Sequence, residues 1–145
     1  MNKWLKILLI LIAIGIVAAV LVYKFYINKP HPDFEKLPAD FKLKAEVLYN
    51  EYVKDKAAAG LKYNGKIIEI SGKIAKTEST DTLVVATFVF KQGDFGDEGI
   101  RCTMLPKYNV ETKQIASGTE VKIKGFCSGF NDTDVIIEKA SPVKE

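Results

Sequence analysis

One histidine and two cysteines in 145 residues leave little room for catalytic or metal chemistry. The histidine, His31, stands between Pro30 and Pro32, with no nucleophile and orienting acid set beside it. There is no nucleophile elbow, no phosphate-binding glycine loop and no metal-ligand spacing. Two cysteines, with no histidine near them, are too few for a structural zinc site. Residues 93–99, with Asp94, Asp97 and Glu98, and residues 131–134, with Asn131, Asp132 and Asp134, are acidic. Neither loop supplies the roughly six to eight oxygens a calcium ion takes, so both read as solvated turns. The expectation is a chain with no enzymatic activity, no cofactor and no metal.

A basic excess is also missing from most of the chain. The formal charge is +3, but Lys3, Lys6, Lys24 and Lys29 lie in the first 29 residues and leave 17 basic against 18 acidic side chains in the rest. A nucleic-acid-binding domain normally shows a surplus of Lys and Arg, so the composition argues against a nucleic-acid partner.

Long apolar runs are absent but for one. Ile7 to Tyr23 are seventeen consecutive uncharged residues, a helix of about 26 Å against a hydrocarbon core of about 30 Å. Trp4, Leu5, Phe25 and Tyr26 extend it at both ends, with lysines close by, as a membrane–water boundary selects. Residues 4–26 therefore read as a membrane segment. The competing reading is a cleaved secretory signal, with a basic start and small residues at Val17-Ala18-Ala19. Against cleavage, the apolar core exceeds the usual span of about 7–15 residues and stays apolar after Ala19. No cysteine lies near the segment, so an acylated lipoprotein terminus is excluded. Lysines flank both ends, giving a small positive-inside bias. The expected topology is a single pass, with the N-terminus cytoplasmic and the C-terminal domain extracytoplasmic.

The division that follows is an anchor with its flanks over 1–29, a proline-containing stalk over 30–39 and one domain over 40–145. After Asp40, a reasonable N-cap, apolar residues recur at helical spacing from Phe41 to Val53, and Gly60 would end the helix. From Gly65 the period becomes two. Strands are expected at GKIIEISGKIAK, TLVVATFVFK, GIRCTMLP, TEVKIKGFC and TDVIIEKA, with a short helix or irregular crossing over 108–116. Gly72 suits a strongly coiled first strand that serves two sheets. The fold class is thus mainly β: a five-stranded Greek-key OB-fold barrel preceded by one amphipathic helix and the N-terminal transmembrane helix.

The helix running into Lys62-Tyr63-Asn64-Gly65-Lys66, the GIRC strand, Gly125-Phe126-Cys127-Ser128-Gly129 and DVIIEKA resemble the tRNA-anti-like OB-fold domains over residues 45–140. That resemblance implies an exported or membrane-anchored bacterial protein. Members of that family often carry a further cysteine near the end of the last strand, where this chain has Ala140, so the resemblance carries over no disulfide. Cys102 and Cys127 have two readings. In an oxidising compartment they form a disulfide, credited with about 3.5 kcal/mol by loop entropy; otherwise they are two buried, reduced thiols.

One strand is anomalous. In the second, Leu83, Val85 and Val89 share one face while Val84, Ala86, Phe88 and Phe90 share the other, although a strand with one wet face should not be apolar on both. Either the helix or the barrel's curvature covers the second face, or that face is a groove. OB-folds bind across strands two and three, so Phe88 and Phe90, with Arg101 and Thr103 on the next strand, are the candidate ligand-binding residues. The two functional expectations are a membrane-anchored extracytoplasmic binding module, with a protein, glycan or small ligand as partner, and a single-stranded nucleic-acid-binding OB domain.

Overall fold

A computed structural model describes residues 2–27 and 32–144 and divides the chain into two compact units, Met1–Pro32 and Asp33–Glu145. His31 lies outside the described residues.

In the first unit, helix α1 (Lys3–Val22) continues as a π-helical turn over Tyr23–Ile27. Within Lys3–Ile27 an 18-residue window has a mean hydropathy of 3.1, and none of that window is buried. Among the described residues it is the only helix long and apolar enough to cross a membrane. A signal sequence near an N-terminus meets the same criterion.

The second unit is built on a mixed sheet of seven strands. They are β1 (Phe41–Lys44), β2 (Ile67–Lys73), β3 (Lys76–Ser79), β4 (Val84–Gly93), β5 (Gly96–Met104), β6 (Glu120–Phe130) and β7 (Asp134–Pro142). The order across the sheet is β1-β2-β6-β7-β5-β4-β3. The hydrogen-bonded ladder is not closed, so the expected five-stranded barrel is replaced by an open seven-stranded sheet. Two local features account for the difference. The first long strand breaks after Lys73, at Ile74-Ala75, so β2 pairs with β6 while β3 pairs with β4. The second is an added parallel edge strand, β1, on β2.

That edge strand replaces the first turn of the expected helix. Phe-Lys-Leu-Lys alternates, and Phe41 and Leu43 are half-buried while Lys42 and Lys44 are exposed. Asp40 therefore caps no helix. Its N–H donates to the Ile67 carbonyl at 2.7 Å and its carboxylate accepts from Ile67 N–H at 2.9 Å, joining β1 to β2. Helix α2 (Ala45–Lys54) follows, then α3 (Lys56–Tyr63), broken at Asp55, whose carboxylate caps α3 by accepting from Ala58 N–H. Gly60 does not stop α3, which ends before Gly65 at φ +77°. A short helix, α4 (Asn109–Lys113), occupies the crossing before β6.

The core lies between the inner sheet face and α2. Leu48 and Tyr52 of α2 meet Ile68, Ile70, Phe88, Ile100, Ile123 and Ile137, all at most 1 % exposed. Gly125 is required by close approach, since a Cβ there would stand 2.5 Å from Ile137 Cγ2 and 2.9 Å from the Glu138 carbonyl. Residues 33–37, expected in the stalk, lie on the body. Phe34 packs on Phe126 at 5.1 Å, and Lys124 Nζ donates to the carbonyls of Glu35 and Leu37. The Glu35 carboxylate accepts from Lys107 and from Tyr108.

Candidate functional site

Register decides which side of β4 faces out. Phe88 is opposite Ile100, and Thr87 opposite Arg101. Phe88 is fully buried and belongs to the core, and Phe90, at the β4 bulge, stacks on Tyr49 of α2 at 5.4 Å. Arg101 and Thr103 project from the opposite face. The four residues singled out in the sequence are therefore not brought together; those beside Arg101 and Thr103 are Val85, Thr87 and Val89.

That outer face forms a lattice of three rows across the strands. Lys76, Thr87, Arg101 and Ile136 make one row, Glu78, Val85 and Thr103 the next, and Val89, Gly99 and Asp134 the third. Val85, Val89 and Ile136 are half-buried. The second apolar face of β4 is thus only partly covered, and α2 packs on the Phe90 side instead. The charges are matched in a chain. Lys76 pairs with Asp97 at 3.2 Å and with Glu78 at 3.1 Å; Arg101 pairs with Glu78 at 3.0 Å and with Asp134 at 3.1 Å. Hydrogen bonding from Lys76 holds the Glu78 carboxyl below the usual carboxylate range. Asp134 also accepts from Gly99 N–H at 3.0 Å, which fixes it against the sheet. Thr87 is buried at the centre, and its Oγ1 meets no partner.

The two most distinctive sequence motifs meet away from this face. Gly65 N–H donates to the Cys127 carbonyl at 2.8 Å, and Cys127 N–H donates to the Lys66 carbonyl at 2.9 Å. Tyr52 OH donates to Asn64 Oδ1 at 2.6 Å and lies 3.3 Å from Cys127 Sγ. Above this cluster is a hollow of about 680 Å³ walled by Phe130, Ala57 and Leu61, with Gly60 exposing bare backbone. Lys56 stands at its rim, ion-paired with Asp132 at 2.6 Å, and Asp132 is held at φ +80° in the β6–β7 turn. Tyr52, Asn64, Lys56 and Phe130 gave no sequence signal as a group, because they are distant along the chain.

Both cysteines are free and buried. Each is in register with Ile137, one on either side. Two strand spacings set their Cα atoms about 9–10 Å apart, where a disulfide takes about 4.4–6.8 Å. In this structure they are therefore two buried, free thiols rather than a bridge. Among the described residues no cluster of His, Cys, Asp and Glu is placed to hold a metal ion.

The tRNA_anti-like family model matches residues 1–141. No curated protein matches the chain. A Klebsiella pneumoniae lipoprotein, named for a proposed nucleic-acid-binding role, is 18% identical over 74% of this chain and 100% of its own, with a TM-score of 0.53. The aspartyl-tRNA synthetase of Entamoeba histolytica is 11% identical over 74% of this chain and 26% of its own, with a TM-score of 0.45. The Stn1–Ten1 complex of S. pombe is 15% identical over 55% of this chain and 59% of its own, with a TM-score of 0.37. The first likeness bears on fold alone, and the other two are too distant to carry an argument.

Proposed function

This chain belongs to the tRNA_anti-like family, and from that premise we propose a non-catalytic binding module of OB type, held at a membrane by Lys3–Ile27 with its body on the extracytoplasmic side. In this reading residues 67–79 act as one bent strand serving both ends of an OB barrel. The bend supports it: Ile74 N–H donates to Thr119 and the next residue, Ala75, donates to Thr87. The partner is a protein met by the outer face of β4 and β5. One observation carries this: half-exposed Val85, Val89 and Ile136 are interspersed on one face with Thr87 and with the ion-paired Arg101, Glu78 and Asp134, the mixed apolar and polar composition of a protein interface.

A single-stranded nucleic-acid domain is the second reading. The name of the Klebsiella lipoprotein favours it. Single-strand binders combine a positive groove with stacking aromatics. Here no aromatic stands in the three rows, and both cations, Lys76 and Arg101, are engaged by carboxylates. Fluorescence anisotropy of a labelled single strand, with the full chain in lipid nanodiscs at two salt concentrations, separates the readings. No saturable binding at micromolar protein is expected; salt-sensitive binding there would replace the first reading with the second.

A further inference from the structure

Residues 33–37 lie on the body as a ligand lies on a receptor. Phe34 packs on Phe126 with ring centroids 5.1 Å apart, and Lys139 Nζ stands 5.0 Å from the Phe34 centroid. The Glu35 carboxylate accepts from Lys107 Nζ and Tyr108 OH, both in the 3-10 turn Pro106–Tyr108. Lys124 Nζ donates to the Glu35 carbonyl at 2.7 Å and to the Leu37 carbonyl at 2.9 Å. We propose that this seat is a peptide-recognition site for an aromatic residue followed by a carboxylate, filled here by the chain's own strap and open, when the strap lifts, to such a segment of a protein partner.

The cations of the seat have no carboxylate of the body to satisfy them. Apart from Lys107 over the Tyr108 ring, every contact of the Lys107, Lys124 and Lys139 ammonium groups among the described residues is to the strap. Glu69, opposite Lys124, is taken by Lys42 at 3.6 Å, and Glu138, opposite Phe126, makes no ion pair among the described residues. Without the strap, three cations would stand beside the Phe126 ring and the Tyr108 hydroxyl, the complement of one aromatic group and one carboxylate. Lys139 is also held at φ +50°, at an unpaired position of β7. Left-handed backbone is costly for a lysine, and such strain gathers at binding sites.

The strap can leave without opening the fold. Before Asp40 its one backbone hydrogen bond among the described residues is internal, from Lys36 N–H to the Asp33 carbonyl. Its side chains are half-buried or exposed, where ion pairs hold weakly. The ladder to β2 begins only at Asp40. No seat residue belongs to the outer face of β4 and β5, so the inference stands apart from the partner proposed there.

The test uses the full chain in lipid nanodiscs and an amidated peptide of residues 32–39, Pro-Asp-Phe-Glu-Lys-Leu-Pro-Ala. Saturation-transfer NMR at the peptide's Phe ring is the readout, with empty nanodiscs as the blank. The chain carrying Phe34→Ser and Glu35→Gln should bind the peptide saturably below about 1 mM. The unaltered chain should bind about tenfold more weakly, because a tethered strap competes at an effective concentration of roughly millimolar or more. Adding Lys107→Ala and Lys139→Gly to the double variant should weaken binding about tenfold; glycine keeps the left-handed backbone there. A peptide with Ser and Gln in place of Phe and Glu should not bind. The proposal is overturned if the double variant shows no saturable binding, if the unaltered chain binds equally well, or if the seat changes or the altered peptide make no difference. Should the double variant not fold, Glu35→Gln alone must bind more tightly than the unaltered chain, and equal binding overturns the proposal. A disulfide-linked heterodimer from mixed copies carrying Phe34→Cys and Lys139→Cys separately would replace the protein partner with a second copy's strap.

Discussion

Replacing Phe88 with alanine should cripple the fold rather than any ligand site. The ring is fully buried opposite Ile100, and its edge atoms lie 3.4 Å from where a Cβ on Gly72 would stand. Gly72 has no side chain to lean into the space, so truncation leaves a cavity rather than a collapsed site. A core Phe→Ala change costs about 3–5 kcal/mol. At roughly 4 °C per kcal/mol for a domain of this size, Tm should fall by about 12–20 °C. Thr103→Ala, on the outer face, should change stability by less than about 0.5 kcal/mol. Near-UV circular dichroism of the full chain in nanodiscs reads this cleanly, because Tyr49, Tyr52 and Tyr63 are buried in the body while Trp4 reports on α1. If Phe88→Ala leaves the melting temperature within a few degrees of the parent, the β4–β5 register is wrong and the inward placement of Phe88 falls with it.

Gly99→Ala should prevent β4 and β5 from pairing, since its Cβ would stand 1.8 Å from the Phe88 carbonyl oxygen; soluble, normally melting protein would contradict this. The Glu35 contact should loosen in acid. Its pKa is lowered by hydrogen bonds from Lys107 and then Tyr108, so the stabilisation is present above the ordinary carboxylate range and lost as pH falls through the lowered value. The protection factor of the Lys36 amide, which donates to the Asp33 carbonyl beside this contact, should be high near neutrality and fall in acid once the intrinsic pH dependence of exchange is divided out, and Glu35→Gln should lower it at neutrality; protection unchanged by acid would refute the contact. Burial pushes both cysteine thiols up. Iodoacetamide at mildly alkaline pH should therefore modify neither thiol until denaturant is added, whereas a mass two daltons light would reveal a bridge. A reporter fused after the C-terminus and active only outside the cytoplasm should be active; an inactive, intact, membrane-bound fusion would reverse the proposed topology.

The strands were legible because alternation with one apolar parity identifies a face, as in β6, where Ile123, Gly125 and Cys127 are buried. Where alternation is absent or short, the sequence is silent. Both parities of β4 are apolar, so only pairing with β5 shows that Phe88 points in and Val89 out. Phe41 fits a helical stripe with Ala45 and Leu48 as well as it fits a strand with Leu43, and parallel pairing with β2 makes it a strand. Gly60, expected to end the helix, does not do so for a related reason. A glycine can end a helix, but here the side-chain cap at Asp55 sets a new start and α3 runs through Gly60. The KYNGK and GFCSG motifs were visible, yet nothing in their spacing shows that Gly65 and Cys127 bond to each other.

The break at Ile74-Ala75 has a consequence for the order of folding. One continuous segment supplies partners to both β4, its neighbour in sequence, and β6, near the end of the chain. Its first half can pair early with β1 on one edge, but its other edge waits for β6, and the parallel pairing of β5 with β7 waits longer. Such long-range closure is slow, because loop entropy is lost before the contacts form. In the proposed extracytoplasmic reading, a chain threaded through a membrane while extended is well served by a fold that does not complete before β7 arrives.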